Sequence, residues 1–334
     1  MYTLMWASPG TIIDKRCPVG CSKEYEKKLI KEHHLDRSLF VQYGFWLKKA
    51  VSLDFGYSAV RQSEKVIDKL IPAASLTMLL VFGATFLTIL LSFFLGWIPS
   101  HPLPRWGLRI FQYPFIFFSF VPLYILAYGA VTTSGETINW MEKTKQISED
   151  KAEELRDRGF LLGQDTNLEW LVGKDGLTLD KDEGETLGGK LLSTLFPLFI
   201  AMFLLALGNN NLVEQSSSLR NESDNLKEQG FIRTVRARGA SYFRHLSHHL
   251  LLPCIQFFTT RMVFLLGTAV IIETVMNLQG IGYLLWNATT DRDVPVVLAI
   301  ALFATVTACL LQMINEISLK LIDPRLRGQS SVEE

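Results

Sequence analysis

The sequence predicts an all-α polytopic membrane protein, and three observations carry that prediction. The first is that charge is segregated. The 334 residues include 33 Lys+Arg and 33 Asp+Glu, yet none of these occurs in 70–104, 110–135, 191–213 or 294–315, and Arg261 alone interrupts 245–272. A helix rises about 1.5 Å per residue, so roughly 20 apolar residues cross a hydrocarbon core of about 30 Å. The second is that these runs end in charge, Pro or Gly-rich polar sequence, as membrane spans do. The third is that charge is divided unequally between loops: 209–250 carries six Lys+Arg against four acids, whereas 132–189 carries fourteen acids against seven bases. The long charge-free runs exclude a soluble enzyme, and the zero net charge excludes a uniformly basic chain that coats nucleic acid.

Residues 1–72 precede the first span and carry twelve Lys+Arg, with no signal peptide or apolar helix. Within 23–53, Leu29, Ile30, Leu35, Leu39, Phe40, Tyr43, Trp46, Leu47 and Val51 recur at helical spacing. That predicts helices lying on the membrane face or packing against a partner. Five spans follow, near 73–97, 110–131, 190–208, 253–275 and 295–315. Pro114 and Pro122 break the second and Pro197 the third. A bilayer accepts such breaks where neighbouring helices or water satisfy the freed carbonyls, so these spans belong in a packed bundle. Gly267 and Ala269 read as small residues that permit close helix contact. Trp97, Trp106, Tyr128 and Trp286, near span ends, read as interfacial anchors.

Basic loops stay in the cytoplasm. That places 209–250, the 98–109 turn with Arg105 and Arg109, and the 316–334 tail with Lys320, Arg325 and Arg327 inside. Alternation then places 1–72, the acidic loop 132–189 and the 276–294 loop outside. The acidic loop has a periodic stretch at 147–162 and reads as a small cap.

Residues suited to chemistry are sparse. Cys17 and Cys21 frame a Cys-Pro-Val-Gly-Cys loop, open to a disulfide in an oxidising compartment and lacking the two further ligands of a zinc site. Cys254 and Cys309 lie in apolar spans, where a thiol behaves as a small buried hydrophobe. His245, His248 and His249 share one short segment without a carboxylate and read as interfacial packing, not a metal site. The chain has no Gly-x-x-x-x-Gly-Lys-Ser/Thr phosphate loop and no His-Glu-x-x-His, so neither an ATPase nor a membrane hydrolase is expected. Gly280-Ile-Gly282 has no strand before it and reads as a tight outer or re-entrant turn.

Arg261 is costly inside a bilayer unless paired or facing water. Three readings stand: it lines a solute route, it snorkels to the inner headgroups, or it bonds the carbonyls of a broken helix. Glu273 lies near the opposite end of the same helix, where a bond to the following loop is the expected role. It is the sole carboxylate those spans offer, which argues against a secondary transporter coupled to an ion.

The most informative segment is Phe231-Ile-Arg-Thr-Val-Arg-Ala-Arg-Gly239-Ala-Ser-Tyr-Phe-Arg-His-Leu-Ser-His-His-Leu-Leu-Leu-Pro253. It predicts an Arg-rich helix broken at Gly239 and a second short amphipathic helix, together a protruding shape that docks into a groove. A left-handed turn, or close approach of two backbones, would account for Gly239.

Here the chain resembles the membrane subunits of binding-protein-dependent ABC importers, specifically the B-type permease of dipeptide and oligopeptide systems. Arg233-Thr-Val-Arg-Ala-Arg-Gly239 is similar to that subfamily's Arg-Thr-Ala-Arg-Ala-Lys-Gly coupling motif, which reads Glu-Ala-Ala-x-x-x-Gly in the wider family. Glu273-Thr-Val-Met-Asn-Leu-Gln-Gly-Ile-Gly282 followed by Arg292-Asp-Val-Pro-Val296 resembles the segment before the last helix, with Gln279 where the family usually has Pro. Asp323-Pro-Arg-Leu-Arg327 matches the C-terminal signature. Leu35-Asp-Arg-Ser-Leu39, Gln42-Tyr43, Asp54-Phe-Gly-Tyr-Ser58 and Leu70-Ile-Pro-Ala73 resemble the family's outer segment before its second helix. The match covers most of the chain from about residue 8 and is weakest in 132–189.

The resemblance implies a type I importer transmembrane domain with six helices, of which five are visible. Pro9-Gly10, belonging to the outer segment, stands almost at Met1, so one more helix is expected upstream of Met1 unless the chain has diverged. It implies a bacterial cytoplasmic-membrane permease that binds no cofactor itself. Its implied partners are a second homologous permease subunit, two ATPases holding ATP and magnesium, an extracytoplasmic solute-binding protein and the lipid bilayer, but no nucleic acid. Peptides are the implied solutes, with nickel chelates or sugars left open. Arg233, Thr234, Arg236, Ala237, Arg238, Gly239 and Ala240 are expected to contact the ATPase. Arg261, Glu273, Asn277, Gly280 and Gly282 are candidates for the pathway or its gating. The acidic cap is expected to help dock the binding protein.

Overall fold

Long apolar runs favour helix, and almost all of the described residues are helical. The computed structural model describes residue 24 and residues 37–60, 64–97, 113–114, 117–143, 172–173, 176–177, 187–208, 210–228, 230–239 and 242–322. The elements, in order, are α1 (Leu39–Val51), α2 (Val66–Trp97), α3 (Leu123–Lys143), β1 (Val172–Gly173), β2 (Gly176–Leu177), α4 (Leu187–Leu207), α5 (Asn211–Glu228), α6 (Gly230–Ala237), α7 (Tyr242–Val275), α8 (Ile281–Thr290) and α9 (Val294–Ile322). The two strands form a minimal antiparallel hairpin, a small exception to the all-helical expectation.

Two helices among the described residues are long and apolar enough to cross a membrane, Val66–Phe93 and Val294–Leu321, each 28 residues. Leu195–Leu207 and Asn211–Leu226 pass the same test as a pair bent by 57°. Several expected boundaries move. The expected 110–131 span starts afresh at Leu123, and its helix continues to Lys143, into the segment expected as acidic loop. Pro122 sits just before the first turn, where a missing N–H costs nothing because that donor has no helical acceptor. Beyond residue 131 the hydroxyls of Thr132, Thr133 and Thr137 bond carbonyls one turn back at 3.0, 2.7 and 2.6 Å, which lets these polar side chains sit in the helix with their donors satisfied. The expected short helix before 253 is instead the beginning of α7, which stays helical through that position. A long helix survives the loss of one amide donor.

The chain divides into two compact units. The first takes the described residues of Met1–Thr77, Leu168–Lys181 and Gln279–Val306. Its core joins Val66, Leu70 and Ala73 of α2, Ile281 and Ala288 of α8, and Val296, Val297, Ala299 and Ile300 of α9, with Phe55, Leu284 and Phe303 packed around it. Between α1 and α2 the chain doubles back: Tyr57 bridges Lys65, Ser58 N–H donates to Glu64 O at 3.1 Å, and Val66 N–H to Gly56 O at 3.0 Å. Phe40, Tyr43, Phe45 and Val51 of α1 are exposed among the described residues, while Gln42 and Ala50 on the same helix are buried.

The second unit takes the described residues of Met78–Asn167, Asp182–Leu278 and Thr307–Glu334. Here α7 packs against α3, α4, α5 and α6. Met262, Leu265, Ala269 and Ile272 recur on its inner face and are buried. Leu198, Ala201 and Leu205 of α4 are buried as well. Ala269 thus sits in a packed seam, but Gly267 has nothing within 4 Å of where a Cβ would stand among the described residues. The close contact expected at Gly267 occurs instead at Gly83 of α2 against Met202 of α4, and at Gly208 against Leu123. Two residues along a helix rotate by about 200°, which carries Gly267 to the outer face of α7.

Outward faces are apolar: Phe82, Phe86 and Leu90 on α2, and Leu310, Met313, Ile317 and Leu321 on α9, are exposed. Such faces suit lipid, where apolar side chains have no reason to turn inward. Cys254 is buried, but Cys309 is exposed on α9, contrary to expectation. Cys17 and Cys21 lie outside the described residues, as do Trp106 and the side chains of Trp97, His245, His248 and His249. Tyr128 is exposed and stacks on Tyr124 at 6.1 Å; Trp286 is exposed on α8.

Candidate functional site

The candidate site is assembled where α5, α6 and α7 follow one another. The eight-residue α6 touches both α5 and α7, and those two long helices touch each other. It therefore sits at the apex of a packed helical hairpin, within the segment carrying the basic excess. Four of the expected coupling residues lie on it: Arg233, Thr234, Arg236 and Ala237. Thr234 Oγ1 donates to Gly230 O at 3.2 Å, and Arg238 N–H donates to Thr234 O at 3.1 Å. Thr234, Ala237, Arg238 and Gly239 are exposed. The side chains of Arg233 and Arg236, and all of Ala240, lie outside the described residues.

Gly239 adopts φ +69°, and no described atom lies within 4 Å of an added Cβ. The left-handed turn, rather than a close approach of backbones, is therefore what requires glycine. It follows α6 directly, and Gly239 itself is exposed.

Arg261 lies in the middle of α7, and its guanidinium has a full set of neighbours. Nη1 donates to Asn211 Oδ1 at 3.2 Å, and Nη2 pairs with the Glu214 carboxylate. The rings of Phe257 and Phe264, one turn before and after, lie 5.2 and 5.8 Å from its central carbon. The hydrogen bond and ion pair of Arg261 reach side chains of α5, whereas the broken-helix reading expected carbonyls. The break is the one between α4 and α5, and Arg261 engages side chains of the first turn beyond it. Glu214 was hidden from sequence reasoning because it had been counted among the loop acids. Its signal was its position: the first charge after the 191–213 run, just past Asn209-Asn-Asn211.

The remaining candidates divide between the two compact units. Glu273 is fully buried in the last turn of α7, and its carbonyl accepts Leu278 N–H at 2.8 Å. Asn277 follows in a left-handed conformation, φ 54°. Gly280 and Gly282 belong to the other compact unit, where Gly280 precedes α8 and Gly282 is buried in its first turn. There the Ile281 N–H donates to Thr77 Oγ1 at 2.8 Å, which fixes the start of α8 on α2.

Sequence reasoning also missed a pairing of two motif segments. Asp293, 4% exposed, accepts the Ser58 hydroxyl on one carboxylate oxygen and the Ala59 N–H on the other at 3.0 Å. The outer segment before α2 and the turn before α9 are thus held together by one carboxylate.

Comparison with known proteins places this arrangement. The model of the family described as binding-protein-dependent transport system inner membrane component matches residues 103–328. The chain is 23% identical to the oligopeptide transport system permease protein AppB of Bacillus subtilis, over 97% of this chain and 92% of that protein. It is 24% identical to a putative peptide permease protein of Brucella ovis, over 98% of this chain and 92% of that one. A probable peptide ABC transporter permease protein of Sinorhizobium fredii is 32% identical over 103 residues, 30% of this chain and 33% of that protein.

Proposed function

Because the chain belongs to the family of inner membrane components of binding-protein-dependent transport systems, we propose that it forms half of the translocation pathway of an ATP-driven peptide importer. A second, homologous permease subunit supplies the other half. Two cytoplasmic ATPases hydrolyse ATP, and an extracytoplasmic binding protein delivers the solute. The observation that carries this reading is α6: a short basic helix, followed by an exposed left-handed Gly239 and seated on both α5 and α7. Such an element receives a push from the cytoplasmic side and passes it to membrane helices, which is what alternation between inward-open and outward-open states requires.

Peptide as solute is supported by the relatives that match nearly the whole chain, which are oligopeptide and putative peptide permeases. The acidic segment 132–189 is assigned a part in docking the binding protein. Affinity purification of this subunit from mild detergent tests the assembly. The native chain is expected to bring down a second permease and ATPase chains, and a Gly239→Arg variant to lose the ATPases while keeping the permease. ATPase recovery unchanged by that substitution would contradict the assignment of the coupling segment.

A further inference from the structure

The bend between α4 and α5 is fixed from two sides. A change of direction of 57° leaves amide and carbonyl groups at both helix ends without their usual partners, and such a break flexes unless its neighbours hold it. On one side Asn210, left-handed at φ 61°, donates its N–H to Ser119 O at 3.3 Å and accepts the Ser119 hydroxyl on Oδ1 at 3.4 Å. Gly208, without a side chain, lets Leu123 approach there.

On the other side stands Arg261. It reaches from α7 to Asn211 and Glu214, both in the first turn of α5. Glu214 is well placed as the anion, since a carboxylate in a first turn also faces the positive end of the helix dipole. The rings of Phe257 and Phe264 lie beside the same guanidinium. Its side chain is 15% exposed, whereas a residue presented to a passing solute would be open. The bond geometry therefore spans two helices at the point where one of them is broken.

We propose that Arg261 is a positioning residue that locks the α4–α5 bend to α7, so that α5, α6 and α7 move as one piece when α6 is displaced. With 18 residues, α5 is a lever of about 27 Å between α6 and the bend. A free hinge at its base would absorb a displacement; a clamped one delivers it to α7. The inference rests on the reading of α6 as the contact with the ATPases.

The test uses the complete transporter in proteoliposomes, with spin labels at the exposed Asn225 and Thr260 in a cysteine-free background. The variants are Arg261→Gln, Glu214→Gln and the double exchange Arg261→Glu with Glu214→Arg. Either single variant is expected to broaden the 225–260 distance distribution and to lower severalfold the solute moved per ATP hydrolysed. The exchange is expected to restore both. A narrow distribution in the single variants, an unchanged transport ratio, or no recovery on exchange would each overturn the clamp. Glu214 is 57% exposed, so its variant keeps the test available should Arg261→Gln fail to assemble. A native complex that transports without ATP would contradict the proposed function instead, while the distance measurement would still judge the clamp.

Discussion

Ser58 donates its hydroxyl to Asp293, 235 positions further along the chain, and both side chains are buried. The second oxygen of the same carboxylate takes the Ala59 N–H at 3.0 Å. Asp293 also caps α9, its carbonyl accepting Val297 N–H at 3.1 Å. One residue thus ends a loop, starts a helix and ties the outer segment down.

Removing that carboxylate takes an acceptor from a buried hydroxyl and from a buried amide. Asp293→Ala is expected to destabilise the protein by about 2–4 kcal/mol, and Ser58→Ala by about 1 kcal/mol, since the latter leaves Ala59 N–H to satisfy the carboxylate. Thermal unfolding in detergent measures both. Equal losses from the two variants would show that Asp293 acts through Ser58 alone.

Two glycines at helix contacts are predicted to behave differently. A Cβ at Gly208 meets Leu123 Cδ1 at 2.6 Å and the Leu204 carbonyl oxygen at 3.0 Å; the three atoms nearest a Cβ at Gly83 all belong to the Met202 side chain, Sδ at 2.5, Cε at 2.8 and Cγ at 3.3 Å. Backbone does not yield, whereas a methionine rotates away. Gly208→Ala is therefore expected to cost about 1–3 kcal/mol and Gly83→Ala less than about 1 kcal/mol. The reverse order in unfolding experiments would contradict the packing described for α3 and α4.

At Gly239 the demand is conformational, not steric. Gly239→Ala is expected to strain the turn by about 1–2 kcal/mol, and Gly239→Asn by less, because asparagine tolerates the left-handed region. ATPase retention during purification reads the effect: it should fall in the order Gly, Asn, Ala. Indifference to all three would mean that the turn geometry plays no part in docking.

What could be read from the sequence follows from the range of each signal. Charge-free runs mark lipid, and α2 and α9 carry that mark along most of their length. Charge does not mark where a helix stops, so α3 ran on past Glu136 to Lys143 and the loop before residue 253 proved to be the start of α7. Gly239 was legible because a glycine inside an Arg-rich helical pattern needs a reason, and a left-handed turn was one of the two available. The pairings of Arg261 with Glu214 and of Ser58 with Asp293 were not legible. Each joins residues tens or hundreds of positions apart, and no local periodicity encodes which carboxylate a distant donor meets.

The most direct test of the central claim is uptake of a labelled peptide by proteoliposomes holding this chain with its partner permease, ATPases and binding protein. The account predicts uptake that stops when ATP is withheld and continues when ionophores collapse the ion gradients. Uptake that persists without ATP and vanishes with the gradients would contradict it.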